Sequence, residues 1–340
     1  MLDTLPILVI SGFSGSGKTA LIKNIIPHLL RRNLKTAVVK HSHHTPDIDR
    51  SGKDSDIFFK AGADVFLQGG ENFNHLHTDK EHDLNHFLIT LSGRYDIVLV
   101  EGYKRSEIPK IWLLGPEDEI PPSDIPSIMG ILPWNVDRPE MLLRFIDNWL
   151  PVQWTKPSVW GCVLIGGKSA RMGRPKHLIA DENGTWVEQA VQKLERVTDK
   201  VIISGTGEAP KGLSEYVRIP DAPGISGPLA GILAAMRWAP RVTWLPLACD
   251  LPDVTEEALS WLLNLRKPGT WATLPSVTKN TCEPLLAWYD FRALPLLEEH
   301  VAHNNFRPSA IASHPKVNTP VPPEHLKPCW RNVNTKEDLE

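Results

Sequence analysis

Two stretches of the chain put glycines, hydroxyls and basic side chains directly behind an apolar run. That pattern brings backbone amides and cations close to phosphate. The first is Gly12-Phe13-Ser14-Gly15-Ser16-Gly17-Lys18-Thr19, a full G-x-x-x-x-G-K-[ST] match behind residues 5–10. There the amides around Gly12, Gly15, Ser16 and Gly17 are expected to wrap a β-phosphate. Lys18 is expected to reach the β- and γ-oxygens, and the Thr19 hydroxyl to ligate magnesium. The second is Leu164-Ile165-Gly166-Gly167-Lys168-Ser169-Ala170-Arg171-Met172-Gly173-Arg174-Pro175-Lys176, behind residues 160–165. Its glycines let amides approach an anion, and Arg171 and Lys176 supply charge.

Carboxylates stand where such loops need them. Glu101 closes the apolar run 95–100, where an acid is placed to hold a magnesium-bound water. Asp250 follows the apolar run 242–248, at the carboxyl end of a central strand, where it suits a magnesium bridging nucleotide phosphates. Asp221 leads a second glycine loop containing Gly227 and Gly231, which permits close packing against a planar or phosphorylated ligand. Cys249, beside Asp250, reads as a small buried residue rather than a nucleophile. His41, His43 and His44 with Asp47 and Asp49 suggest zinc, but no cysteine lies nearby, so a phosphate-facing or solvated loop is expected there.

These residues need elements to hold them. Strands are expected at 5–10, 36–39 and 95–100, then at 160–165, 200–204, 216–219, 242–248 and 271–274. A helix follows the first glycine loop, with Leu21, Ile22, Ile25, Ile26, Leu29 and Leu30 on one face and a kink or early stop at Pro27. Further helices are expected at 135–150, 188–196, 229–237 and 255–265, the last capped by Thr255. Residues 151–157, with proline at both ends, read as a short linker.

The 340 residues exceed one typical domain, so two α/β domains are expected: a P-loop NTPase-like sheet at 1–152, then a Rossmann-like sheet at 158–340, which the resemblance of its G-G-x-S-x-R-M-G-x-x-K loop to nucleotidyltransferases implies is a nucleotidyltransferase sheet. A net charge of -3 gives no global basic field, which argues against nucleic acid and anionic membrane as partners. No signal peptide and no membrane-spanning run is expected. Four widely spaced cysteines, with no C-x-x-C, fit a reduced, cytoplasmic protein.

Two resemblances follow from these residues. The P-loop GFSGSGKT, the loop KHSHHTPDID with GKDS, and VEGYKRSEIPKI (100–111) resemble the molybdopterin-guanine dinucleotide biosynthesis adaptor (MobB) family. The G-G-x-S-x-R-M-G-x-x-K loop resembles the molybdenum cofactor guanylyltransferases (MobA family). So do Asp221 with G-P-L-A-G, Cys282-Glu283-Pro284-Leu285, and the tail Arg331-Asn332-Val333-Asn334-Thr335. Together they imply a fused adaptor and transferase that moves GMP from MgGTP to molybdopterin and releases pyrophosphate. They also imply that Leu164, Ile165, Gly166, Gly167, Lys176, Asp221, Gly227, Gly231 and Asp250 contact the nucleotide, with Asp221 accepting hydrogen bonds from it. Arg307 is expected to meet the pterin phosphate. Asn332 and Asn334, alternating on an extended segment, are expected to line the acceptor pocket. Molybdenum-insertion proteins and apo-molybdoenzymes are the implied protein partners, with a homodimer formed through the first domain. The rival readings are a cytidylyltransferase acting on the same pterin, a GTP-binding carrier without transferase activity, and a P-loop small-molecule kinase.

Overall fold

The computed structural model describes residues 2–40, 65–69, 73–77, 84–117, 120–166, 175–278 and 281–333. Arg171, Gly167, Asn334 and the histidines at 41, 43 and 44 lie outside them. The chain forms two compact units, Met1–Asp147 and Asn148–Glu340.

In chain order the first unit holds β1 (Ile7–Gly12), α1 (Lys18–Arg31), β2 (Thr36–Lys40), β3 (Val65–Gly69) and β4 (Phe73–His77). It continues with α2 (Leu84–Ser92), β5 (Ile97–Glu101), β6 (Lys110–Leu113) and β7 (Ile128–Leu132). Five of these strands form a sheet in the order β2-β5-β1-β6-β7, paired in parallel throughout. Apart from Gly12 at the end of β1, β1 and β5 are buried along their length, as unbroken Ile/Val/Leu runs covered on both faces require. The pairing of Ile10 with Glu101 puts the acid beside the strand that feeds the glycine loop.

The helix after that loop differs from its sequence pattern in two ways. It runs unbroken through Pro27. That proline is exposed, and the Lys23 carbonyl it leaves unbonded is on an exposed residue, where water can satisfy it. Leu21, Ile22, Ile25 and Leu29 are buried, but Ile26 is only partly covered and Leu30 is exposed. The buried face is therefore narrower than the hydrophobic pattern. The expected linker is also helical: α3 spans Arg138–Thr155 with Pro151 inside it. Pro151 and Asp147, whose carbonyl it frees, are both exposed. The helix stops just before Pro157, which disfavours helical backbone at Lys156.

The first strand of the second unit is β8 (Val159–Leu164), followed by the short pair β9 (Ala180–Asp181) and β10 (Gly184–Thr185), then α4 (Trp186–Glu195), β11 (Lys200–Ser204) and β12 (Val217–Ile219). Next come α5 (Pro228–Trp238), β13 (Thr243–Ala248), α6 (Glu256–Asn264), β14 (Ala272–Thr273), β15 (Trp288–Tyr289), α7 (Leu294–Ala302) and β16 (Val317–Asn318). A seven-stranded mixed sheet runs β12-β11-β8-β13-β15-β14-β16. Its first four strands are parallel, and β15 is antiparallel to both neighbours. Capping sets the helix starts. Thr185 and Glu188 form a reciprocal box on α4, and the Thr255 hydroxyl accepts from Ala258 N at 3.2 Å on α6.

Register decides where the chemistry gathers. Leu164 pairs with Ser204 on one side and Ala248 on the other, and Ser204 pairs with Ile219. Four parallel strands therefore end on one line, and the segments that follow them share one edge. The chain leaves β8 toward β11 on one side and later returns to β13 on the other. A cleft between such strands is where open α/β sheets hold ligands.

Candidate functional site

In the first unit, Gly12 closes β1, and Gly15 and Gly17 have positive φ values of 78° and 85°. Lys18 and Thr19 open α1, and Ser16 is buried between them and the glycines. The Lys18 ammonium folds over the loop, donating to Gly12 O at 3.1 Å, Phe13 O at 2.7 Å and Ser16 Oγ at 3.4 Å. Burial lowers its proton affinity; Glu101 opposes this and Lys104 adds to it. The Thr19 hydroxyl donates to Glu101 Oε1 at 2.7 Å, so the two residues proposed from sequence for one magnesium site are in contact. Ser11, which no motif flagged, ties the strand ends together by donating to Gly102 O at 2.6 Å.

In the second unit a cavity of about 350 Å³ opens at the carboxyl edge of β8 and β13. Leu164, Ile165 and Gly166 form one wall and Lys176 and Asp250 another; Asp221, Gly227 and Gly231 also face it. The Lys176 ammonium donates to Asp250 Oδ2 at 3.0 Å, with side chains 16% and 22% exposed. The other oxygen, Asp250 Oδ1, is buried and has no hydrogen-bond partner among the described residues. A carboxylate oxygen held dry and unpaired is costly, and a cation at that spot would relieve the cost.

Two glycines make the opposite wall possible. Gly227 sits at φ 73°, ψ −168°, a conformation essentially restricted to glycine, and precedes α5, whose N-terminus has no side-chain cap. A Cβ on Gly231 would lie 2.8 Å from Leu164 Cδ2, 3.2 Å from Ser204 Oγ and 3.4 Å from Asp221 Oδ1. Burial raises the Asp221 carboxyl above the usual range. Burial first, and then the charge of Asp250, push the Cys249 thiol up to about 12, which leaves it inert at neutral pH.

The expected acceptor residues are spread further apart. Asn332 is exposed, and its side chain bonds Glu283, whose carboxyl burial raises. Its neighbour Val333 donates to Asp250 O at 3.0 Å, which brings this tail segment alongside the acid. Arg307 is exposed before a 3-10 turn at Pro308–Ser313 and does not face the cavity. Ser204 and Leu285 both line the cavity; sequence reasoning gave Ser204 no site role and named Leu285 only within the segment that carries the resemblance. The end of the 200–204 strand was a signal for the first; only tertiary pairing, Ala248 N to Leu285 O at 3.1 Å, brings in the second.

A parallel sheet with a P-loop, followed by a mixed sheet whose cleft holds a lysine–aspartate pair, defines a nucleoside-triphosphate-binding domain joined to a nucleotidyltransferase domain. Comparison with known proteins agrees. Residues 7–131 match the family described as molybdopterin guanine dinucleotide synthesis protein B, and residues 161–317 match the MobA-like NTP transferase domain. The first half is 36% identical over 167 residues to a molybdopterin-guanine dinucleotide biosynthesis adapter protein of Haemophilus influenzae, covering 44% of this chain and 92% of that protein. The second is 30% identical over 141 residues to a probable molybdenum cofactor guanylyltransferase of Bacillus cereus, covering 40% of this chain and 70% of that protein. It also aligns with the crystal structure of molybdopterin-guanine dinucleotide biosynthesis protein A from Archaeoglobus fulgidus, at 24% identity and a TM-score of 0.44, over 53% of this chain and 94% of that one. The chain belongs to both families, as a fusion of a MobB domain with a MobA-like transferase domain.

Among the described residues no helix is long and apolar enough to cross a membrane, and no group of three or more His, Cys, Asp or Glu side chains is placed to hold a metal. The four cysteines are free thiols.

Proposed function

We infer that the second domain transfers GMP from GTP to the terminal phosphate of molybdopterin, giving the guanine dinucleotide cofactor and pyrophosphate, and that the first domain binds GTP in support. The observation that carries this reading is the Lys176–Asp250 pair at the β8/β13 cleft, with one buried aspartate oxygen unpaired.

The acceptor phosphate is already anionic at neutral pH, so no strong base is needed. One of its oxygens attacks the α-phosphorus. A P–O bond forms there as the bond to the α,β-bridging oxygen breaks, and pyrophosphate leaves with that electron pair. The obstacle is the meeting of two anions, and positioning and charge overcome it. Lys176 and Arg171 neutralise phosphate oxygens, and Asp221 and the α5 entry orient the nucleoside. Asp250 fits a magnesium ion, because it lines the cavity with one carboxylate oxygen left without a partner among the described residues, and phosphate oxygens and water can complete the coordination. When bound, that ion supplies charge neutralisation between nucleotide and acceptor. Thr19 and Glu101 are the corresponding pair for magnesium in the first domain. Asn332, beside the Asp250 main chain, supports an acceptor side at that end of the cleft, and Asn334 and Arg307 are proposed to extend it. The likeness to adapter proteins also supports a homodimer through the first domain, with molybdenum-insertion proteins and apo-molybdoenzymes as partners.

Incubating the full chain with molybdopterin and MgGTP tests the reading. Pyrophosphate and the dinucleotide should appear in equal amounts, with GTP strongly preferred over CTP and ATP. Without pyrophosphate, GDP with free phosphate would point to a hydrolase, and GDP with a phosphorylated acceptor to a kinase.

A further inference from the structure

We propose that Arg138, which lies outside every motif of the first domain, is a positioning residue that sets the shape of the phosphate-binding loop. It rests on the reading of that loop as a nucleotide site. Arg138 begins α3, and its guanidinium reaches four backbone carbonyls. Nη1 donates to Ser16 O at 2.8 Å, within the glycine loop. Nη2 donates to Leu114 O and, at 3.2 Å, to Leu132 O; Nε donates to Pro133 O at 2.7 Å. Leu114 follows β6 and Leu132 ends β7, so one side chain fastens the loop to the carboxyl ends of two strands. Only a planar fork of five N–H groups can do this; an ammonium offers three donors from a single point.

The contact at Ser16 matters for phosphate. In a trans peptide the C=O and the next N–H point in opposite directions. Drawing the Ser16 carbonyl toward Arg138 therefore turns the Gly17 N–H away from Arg138, to the side where Lys18 and Thr19 begin α1. Gly17 lies beside the fork: a Cβ there would be in ordinary contact with Arg138 Nη1, at 3.7 Å. Charge adds a second effect. All four partners are carbonyls, and among the described residues Arg138 makes no ion pair. Its guanidinium lies 5.0 Å over the Trp134 ring, and burial alone shifts its proton affinity, downward. A cation behind the loop that none of the described carboxylates pairs favours an incoming polyphosphate.

The test uses the full chain with Arg138→Lys and Arg138→Gln. Arg138 is half-buried, and residues 133–137 before it are exposed, so both variants keep the hydrophobic core. Affinity is read by titration with fluorescent GTP and GDP analogues, with Lys18→Ala as the reference for a lost site. Loss of an orienting bond to a charged group corresponds to roughly tenfold or more in affinity. Both variants should weaken GTP and GDP by at least that factor, with Arg138→Lys no better than threefold above Arg138→Gln. A purely structural role would instead lower the melting temperature and leave the affinity of the folded protein unchanged. That result, or full affinity in Arg138→Lys, would overturn the proposal. A Lys18→Ala chain that binds both analogues as tightly as the parent would overturn the underlying reading of the loop, since the transferase cleft also takes GTP.

Discussion

Replacing Asp250 by Asn is the sharpest test of the transferase site, because chemistry and stability should respond very differently. The substitution keeps the shape and removes the charge. Organising a cation at a reacting phosphoryl group is worth several kcal/mol, here taken as about 3–5. At about 1.4 kcal/mol per factor of ten, turnover should fall by about 10²–10⁴. The structural cost is small. The pair is 16% and 22% exposed, so solvent reaches it, and it resembles a surface ion pair more than a sealed one. The Asn oxygen can still accept from Lys176 at the 3.0 Å position. A loss of about 1 kcal/mol moves the melting point of a domain this size by only about 2–4 °C. Pyrophosphate release with molybdopterin and MgGTP measures the first effect and thermal melts the second. With the first domain's site removed by Lys18→Ala, GTP titrations with and without magnesium provide a third readout: the magnesium-dependent gain in affinity at the transferase site should vanish. Turnover within about threefold of the parent, or an undiminished magnesium effect on binding, would refute the assignment of Asp250.

Gly231→Ala places a methyl 2.8 Å from Leu164 and 3.2 Å from Ser204, so GTP affinity at the transferase site should drop while the first domain's nucleotide titration stays unchanged. Pro27→Ala restores a hydrogen bond on an exposed helix face. A gain of about 1–2 kcal/mol, after allowing for the freer unfolded chain, should raise the first melting transition. His177 follows Lys176, is buried, and donates from Nε2 to Glu208 O at 2.7 Å; burial lowers its proton affinity, the Glu208 bond opposes this and Arg218 adds to it. The neutral ring is therefore the folded form. As pH falls below about 6.5 the unfolded chain takes up a proton that the fold refuses, so stability is lost from there down to the lowered folded value and is flat above. Melts between pH 7.5 and 5 should show that slope, and His177→Asn should flatten it.

Local pattern made much of this legible. The glycine loop and Thr19 announced a phosphate cradle, and unbroken apolar runs located β5, β8 and β13. The short strand β15, the interior strand β6 and the edge strand β7 were poorly marked, because their status depends on neighbours distant in sequence, whereas the run 271–274 did mark β14. Both interior prolines, Pro27 and Pro151, were read as breaks because propensity counts the lost bond but not whether water can replace it.

Residue type and spacing alone determined that this chain carries two glycine-rich basic segments behind apolar strands, suited to phosphate, and an acid at the end of each relevant strand, since glycine backbone freedom, hydroxyl and charge are properties of the local sequence. Only tertiary structure decided that Asp250 keeps one oxygen dry while Lys176 holds the other, that Thr19 meets Glu101 across 82 positions, and that Arg138 closes around Ser16 from 122 positions away. Those contacts are set by strand register and burial, which sum interactions over the whole sheet and leave no trace in any short stretch of residues.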